Sequence, residues 1–244
     1  MKKFDIKSLT KEQKHIRLRI LEISHEEHLS HIGSCLGSVD LMNAIYKVKK
    51  ENEKFILSNG HAGIAFYVIL EKYGFIKDLN VLKKLYIHPD RNQKIGIEVS
   101  TGSLGQGLPI ALGMAIANRK INIYCMISDG ECAEGSIWES LRIASDNKIY
   151  NLRIIINANG WSGYDSVYLP NLVKRLKAFD YKIKKINGHN MNNLVKALKS
   201  ISNDKLTIIF AETKSNQFPF LKGLDAHYYT MTEKDYNLAV DLLK

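Results

Sequence analysis

An α/β fold, a parallel sheet with helices on both faces, is predicted by three observations. Ile121 to Ile127 (INIYCMI) and Leu152 to Ile156 (LRIII) are short, Ile-rich apolar runs, each closed by small polar residues. Runs of this kind are strands buried on both faces of a parallel sheet. Between them, Ile137 to Lys148 (IWESLRIASDNK) has helical character, which makes a strand–helix–strand unit. The same alternation continues on both sides of it, as parallel sheets require.

Taken in order, Thr10 with Gln13 three residues later is a capping box, opening a helix to about Glu27 whose Ile16, Ile20 and Ile23 share one face. Ser38 is expected to cap a second helix through Lys47. Phe55 to Leu57 is a short strand delivering Asn59-Gly60-His61 to the sheet edge, followed by a helix through Tyr73 and a shorter one from Lys77 to Tyr86. The stretch from His88 to Gly107 has no periodicity of its own, and long loops inside compact domains are usually functional. Its Gly96, Gly102, Gly105 and Gly107 suit a backbone that folds tightly around something. A helix from Leu108 to Asn118 tolerates Pro109 in its first turn. After the central crossover come a helix from Pro170 to Phe179, a strand from Tyr181 to Ile186 and a helix from Asn190 to Ser200. A strand from Leu206 to Glu212 and a last helix starting near Thr232 complete the series.

The length of 244 residues suits one large α/β domain, and no linker, repeat or low-complexity segment divides it, so residues 1–244 are taken as a single domain. No apolar stretch approaches the ~18 residues of a membrane span. The basic N-terminus has no apolar core behind it and is not a secretory signal. Cys35, Cys125 and Cys132 match neither a zinc site nor a disulfide framework, which points to a reducing cytoplasm. The net charge of +10 comes from lysines dispersed along helices without aromatic interleaving, the pattern of a solvated surface and not of a nucleic-acid site.

In a right-handed crossover, the ends of the two central strands open on one edge of the sheet, where open α/β folds bind ligands. Ser128-Asp129-Gly130-Glu131 and Asn157-Ala158-Asn159-Gly160 therefore arrive together. Asp129 and Asn159 supply a carboxylate and an amide oxygen, hard ligands for Mg2+ or Ca2+. Two protein oxygens hold Mg2+ poorly, so a diphosphate is expected to supply more, with Gly130 letting backbone approach it.

Asp129-Gly130 with Asn159 resembles the thiamin diphosphate motif of the transketolase superfamily. Ile95 to Gly113 (IGIEVSTGSLGQGLPIALG) is similar to the segment that wraps the aminopyrimidine. Leu57 to His61 (LSNGH) resembles the SNGH element, His31-Ile32-Gly33-Ser34 the HPGS element, and Glu131 to Gly135 (ECAEG) the E-x-x-E-G continuation. The likeness runs from about Ile16 to His227 in family order and matches the first third of a full transketolase. Ser128 stands where the family usually has Gly, Ile32 where it has Pro, and Trp161-Ser162-Gly163-Tyr164 departs from the common continuation.

The resemblance implies the diphosphate-binding N-terminal subunit of a split transketolase-like enzyme. This would be a thiamin diphosphate- and Mg2+-dependent transferase of two-carbon ketol units between sugars or sugar phosphates, with the cofactor as electron sink. Asp129, Asn159 and the Trp161 carbonyl would hold the metal. His61, Gly102, Leu104, Ser128, Gly130, Glu131, Asn159 and His227 would bind cofactor, Gly102 and Leu104 at the aminopyrimidine and His61 and His227 at the diphosphate. His31 and His88 would face substrate hydroxyls, and histidine suits all four positions because it titrates near neutrality. Glu134 and Glu139, on the helix after the turn, would join an acidic network at a subunit interface. The catalytic glutamate for the pyrimidine lies in the family's second domain, so a separate C-terminal subunit is expected, most simply in a heterotetramer. Two alternatives remain open at this point: the alpha subunit of a 2-oxoacid dehydrogenase E1 component, and a non-catalytic regulatory subunit.

Overall fold

A computed structural model describes residues 4–78, 81 and 86–244. Five strands, β1 (Lys54–Leu57), β2 (Ile123–Ser128), β3 (Leu152–Ala158), β4 (Lys182–Asn187) and β5 (Thr207–Glu212), form one sheet in the order β1-β2-β3-β5-β4. Every pairing is parallel, with Ser128 opposite Asn157 and Ala158 opposite Glu212. Helices α1 (Lys11–Glu26), α2 (Ile32–Val48), α3 (Gly63–Lys72), α4 (Gly107–Ala117), α5 (Gly135–Asp146), α6 (Leu169–Lys177), α7 (Met191–Lys199) and α8 (Glu233–Leu243) accompany it. The expected helix over 77–86 falls largely outside the described residues.

Strand alternation sorts the core into two layers. Leu57, Met126, Ile155 and Ile209 face α1, α2, α3 and α7, whereas Ile56, Ile127, Ile154, Ile156 and Phe210 face α4, α5 and α6. Both faces of β2 and β3 are thus covered, which is why these strands carry apolar residues without alternation. Each fully buried Ile contributes about 1.5–3 kcal/mol relative to exposure. A third cluster packs Leu9, Leu21, Ile32 and Leu36 against Phe218, Leu221, Ala226 and α8. It seats the segment before α8 against the start of α2. Among the described residues no helix is long and apolar enough to cross a membrane.

The capping boxes at Thr10–Gln13 and Thr232–Asp235 form, as does the Asn190 cap. The expectation for Ser38 is corrected. Helix α2 starts at Ile32, with His31 in left-handed conformation at φ 67°, and Ser38 lies buried inside the helix. Its hydroxyl accepts from Asn157 Nδ2 at 2.8 Å and from Asn59 Nδ2 at 3.4 Å, joining α2 to the ends of β3 and β1. A second buried device pins α1 to α2. Arg17 meets Asp40 at 2.6 Å with both side chains fully buried, and His189 Nδ1 lies 2.9 Å from the same carboxylate. Burial alone would raise Asp40, but Arg17 and His189 hold it down at about 2. Lys214 N donates to His189 Nε2, so the proton on His189 sits on Nδ1 and points at Asp40.

Candidate functional site

The C-terminal ends of β1, β2 and β3 open into a cavity of about 300 Å3. It is lined by ten of the residues singled out from sequence: His31, His61, His88, Gly102, Leu104, Ser128, Gly130, Asn159, Trp161 and His227. Asp129, Glu131, Glu134 and Glu139 do not line it.

The β2 turn is built from inside. Glu131 is fully buried, and its carboxylate accepts from Ser58 Oγ at 2.7 Å, Gly105 N at 2.9 Å and Ser128 N at 2.9 Å. Burial raises its pKa and these three donors oppose that. Glu131 therefore ties the β1 end, the Gly105 turn and the β2 end together from below the cavity. Ser128 Oγ accepts from Glu131 N at 3.1 Å, so the Ser128 side chain is taken up within the turn. Gly105 has φ 77°, and a Cβ there would lie 2.6 Å from the Glu134 Cβ. Glu134 precedes α5 as its N-cap and packs on that turn, a small correction to its expected place on the helix. Glu139 is exposed and ion-paired with Arg142 at 2.7 Å.

Asp129 is 1 % exposed, and its carboxylate accepts from backbone, from Gly130 N at 3.1 Å and Gly160 N at 2.7 Å. Burial pushes its pKa up to about 7 against those donors. Asn159 Oδ1 accepts from Trp161 N at 2.8 Å. A Cβ on Gly130 would lie 2.9 Å from the Ser162 Cα and 3.4 Å from the Trp161 carbonyl oxygen. The β2 and β3 turns thus bring one carboxylate and two neutral oxygens to one corner. Among the described residues no three His, Cys, Asp or Glu side chains form a metal cluster. A buried carboxylate with neutral oxygen neighbours suits a hard divalent cation whose remaining ligands come from a bound anion.

The four histidines converge. His31 lies 6.0 Å from His61, 5.9 Å from His88 and 4.8 Å from His227, and His61 lies 5.0 Å from His227. His88 packs over Gly102, where a Cβ would meet its ring at 2.9 Å. Ser30 Oγ sits 2.7 Å from His31 Nδ1, and Ser34 Oγ 3.4 Å from His227 Nδ1. Burial first, then mutual repulsion, lowers His61 to about 3 and His31 to about 4, and His227 is lowered likewise. The expectation of groups titrating near neutrality is thus corrected for these three, which are uncharged at pH 7 without ligand.

That depression has a consequence for stability. Histidines in the unfolded chain titrate near 6.5, so below that pH the unfolded state binds more protons than the native one. The contribution of these three histidines to native stability is full above pH 6.5 and declines as the pH falls toward 4, while Asp129 and Glu131, raised by burial, act in the opposite sense. The ligand-free chain should melt at lower temperature at pH 5 than at pH 7, and His61→Gln should flatten that decline. Equal slopes for the two proteins would contradict a buried, neutral His61.

Ser34, Ser162, Gly163, Tyr164 and Tyr228 also line the cavity. Sequence reasoning passed over them as site residues, although Ser34 lies inside the quoted His31–Ser34 element and Tyr228 adjoins His227. Ser58, the buried partner of Glu131, carried no local signal beyond its place before Asn59.

Comparison with known proteins gives the chain a family. The family model for the transketolase thiamine diphosphate binding domain matches residues 10–217. An apulose-4-phosphate transketolase subunit from Actinobacillus succinogenes is 30% identical, over 97% of this chain and 96% of its own length. The 6-deoxy-6-sulfo-D-fructose transketolase subunit SqwG of a Clostridium species is 31% identical over 92% of each. Human transketolase is 29% identical over 80% of this chain but only 35% of its own length. The crystal structure of transketolase from Campylobacter jejuni superposes with a TM-score of 0.84 at 25% identity, covering 96% of this chain and 42% of that one. The chain accordingly spans about two fifths of that transketolase and nearly all of the two transketolase subunits. It belongs to the family of transketolase thiamine diphosphate binding domains.

Proposed function

We propose that this chain, as a single domain, is the diphosphate-binding subunit of a two-subunit transketolase that moves a two-carbon ketol unit between sugars. The observation that carries the reading is the convergence of Asp129, Asn159 and the Trp161 carbonyl beside a cavity walled by four histidines. The residues fit a magnesium ion and a diphosphate. Asp129, Asn159 and the Trp161 carbonyl would hold Mg2+, and the Gly130 backbone, Ser128, His61 and His227 would take the diphosphate oxygens. Gly102 and Leu104 would pack on the aminopyrimidine. The bound cofactor supplies the electron sink for carbon–carbon cleavage.

Each remaining role belongs to the chain's own groups. His61 and His227, uncharged in the ligand-free cavity, gain protons more readily beside an anion, because a neighbouring negative charge favours the imidazolium. His31 and His88 would hold sugar hydroxyls at the mouth. Glu131 would act without touching the cofactor, by fixing the turns that do. Glu134 and Glu139 would approach the companion subunit. That companion would carry the pyrimidine-binding domain, most simply in a heterotetramer with two copies of each. Buried, unpaired Cys35, Cys125 and Cys132 agree with a cytoplasmic setting.

The test of the reaction is to supply the assembled complex with a ketose donor and an aldose acceptor, or with pyruvate. Two-carbon transfer from the ketose alone supports the reading, and decarboxylation of pyruvate without ketose cleavage would defeat it. The histidine roles separate by readout. His61→Ala should weaken cofactor binding about 10- to 100-fold, the value of a hydrogen bond to a charged group. His31→Ala should leave cofactor affinity within about 2-fold and lower kcat/KM instead, because interactions with the reacting sugar act after cofactor is bound. The reverse pattern would show the two assignments exchanged.

A further inference from the structure

Two segments far apart in sequence meet over the cavity mouth through one side chain. Tyr228 Oη donates to the Gly163 carbonyl at 3.2 Å. Its ring stands edge-on to His227 at 4.8 Å and to His31 at 5.7 Å. A Cβ on Gly163 would lie 3.2 Å from that hydroxyl and 3.7 Å from His227 Nε2, so the loop backbone rests directly on the histidine segment.

The two partners differ in how they are anchored. The His227 segment is seated on α2: a Cβ on Gly33 would lie 2.9 Å from the Ala226 carbonyl, and Ala226 is buried in the third cluster. The loop after β3 is instead closed on itself. Ser162 N donates to Asp165 O at 2.8 Å, Val167 N to Gly160 O at 2.8 Å, and Trp161 bridges Ser166. A loop tied in this way moves as a unit. Whatever fixes Gly163 therefore also fixes the Trp161 carbonyl two residues before it.

We propose that Tyr228 is a positioning residue, which clasps the Gly163 loop to the His227 segment and so sets both the Trp161 carbonyl and the rate at which bound cofactor leaves. This rests on the reading of the cavity as a magnesium–diphosphate site. Tyr228 need not touch cofactor. It acts through Gly163 on the metal corner and through its ring on His31 and His227.

The test uses the full chain loaded with thiamin diphosphate and Mg2+, with cofactor release followed by rapid gel filtration. Tyr228→Phe keeps the ring and removes the hydroxyl. It should speed release about 2- to 10-fold, the range of one neutral hydrogen bond. The Mg2+ concentration for half-saturation should rise with it, while the melting temperature of the ligand-free chain stays at the wild-type value. Gly163→Ala, which crowds the same hydroxyl, should also speed release, and adding Tyr228→Phe to it should give little further change. Wild-type release and Mg2+ requirement in Tyr228→Phe, or two independent effects that multiply, would overturn the clasp while leaving the site intact. Failure of the wild-type chain to bind thiamin diphosphate would overturn the site itself, and the clasp with it.

Discussion

Replacing Asp129 by Ala is expected to abolish Mg2+-dependent thiamin diphosphate binding. Loss of a group that merely orients a ligand costs 10- to 100-fold in metal affinity, so loss of the carboxylate at this corner should exceed about 100-fold. The same carboxylate accepts from Gly130 N and Gly160 N, and stranding those donors costs about 1–3 kcal/mol each where they stay buried. Asp129→Asn serves as the second variant, since it keeps the volume and one acceptor oxygen but not the charge. Asn159→Ala should likewise lose the metal dependence, although its loop position makes it less costly to the fold. Both Asp129 variants should retain the cooperative melting of the parent chain. Unchanged Mg2+-dependent affinity in any folded variant would remove that residue from the metal site.

The second large effect concerns the companion subunit. Purified without it, this chain should show no ketol transfer from a ketose even with saturating thiamin diphosphate and Mg2+. The cavity offers histidines and backbone around the Gly102–Leu104 turn. Glu131, the carboxylate tied to the neighbouring Gly105, already accepts three hydrogen bonds beneath the floor. In the proposed arrangement, a glutamate facing the pyrimidine would come from the companion subunit. Activity should appear on adding a partner that carries a pyrimidine-binding domain. Substitutions at Glu134 or Glu139 should weaken that assembly more than they weaken cofactor binding. Robust turnover by a verified partner-free preparation would refute the two-subunit arrangement.

Much of this was legible in the chain. The apolar runs ending at Ile127 and Ile156 specify buried parallel strands, because only a strand covered on both faces dispenses with alternation. Once those strands are parallel, Asp129 and Asn159 must share an edge. What stayed hidden depends on contacts between distant segments. Ser38 looks like a helix cap because serine at a helix start and serine buried inside a helix are indistinguishable without knowing what lies opposite, here Asn157 and Asn59. Glu131 looks like a ligand-facing acid because its donors Ser58 and Gly105 lie 73 and 26 residues away. The histidine pKa values follow from mutual burial, which spacing along the chain does not reveal. Tyr228 meets Gly163 across 65 residues and leaves no local pattern at all.

The central claim, that this chain holds the diphosphate end of thiamin diphosphate through a metal, is tested most directly by titration calorimetry of the wild-type chain with the cofactor. The account predicts saturable binding near one cofactor per chain with Mg2+ present, and its loss on adding a chelator. Absence of binding in Mg2+, or equal affinity with and without the metal, would contradict it.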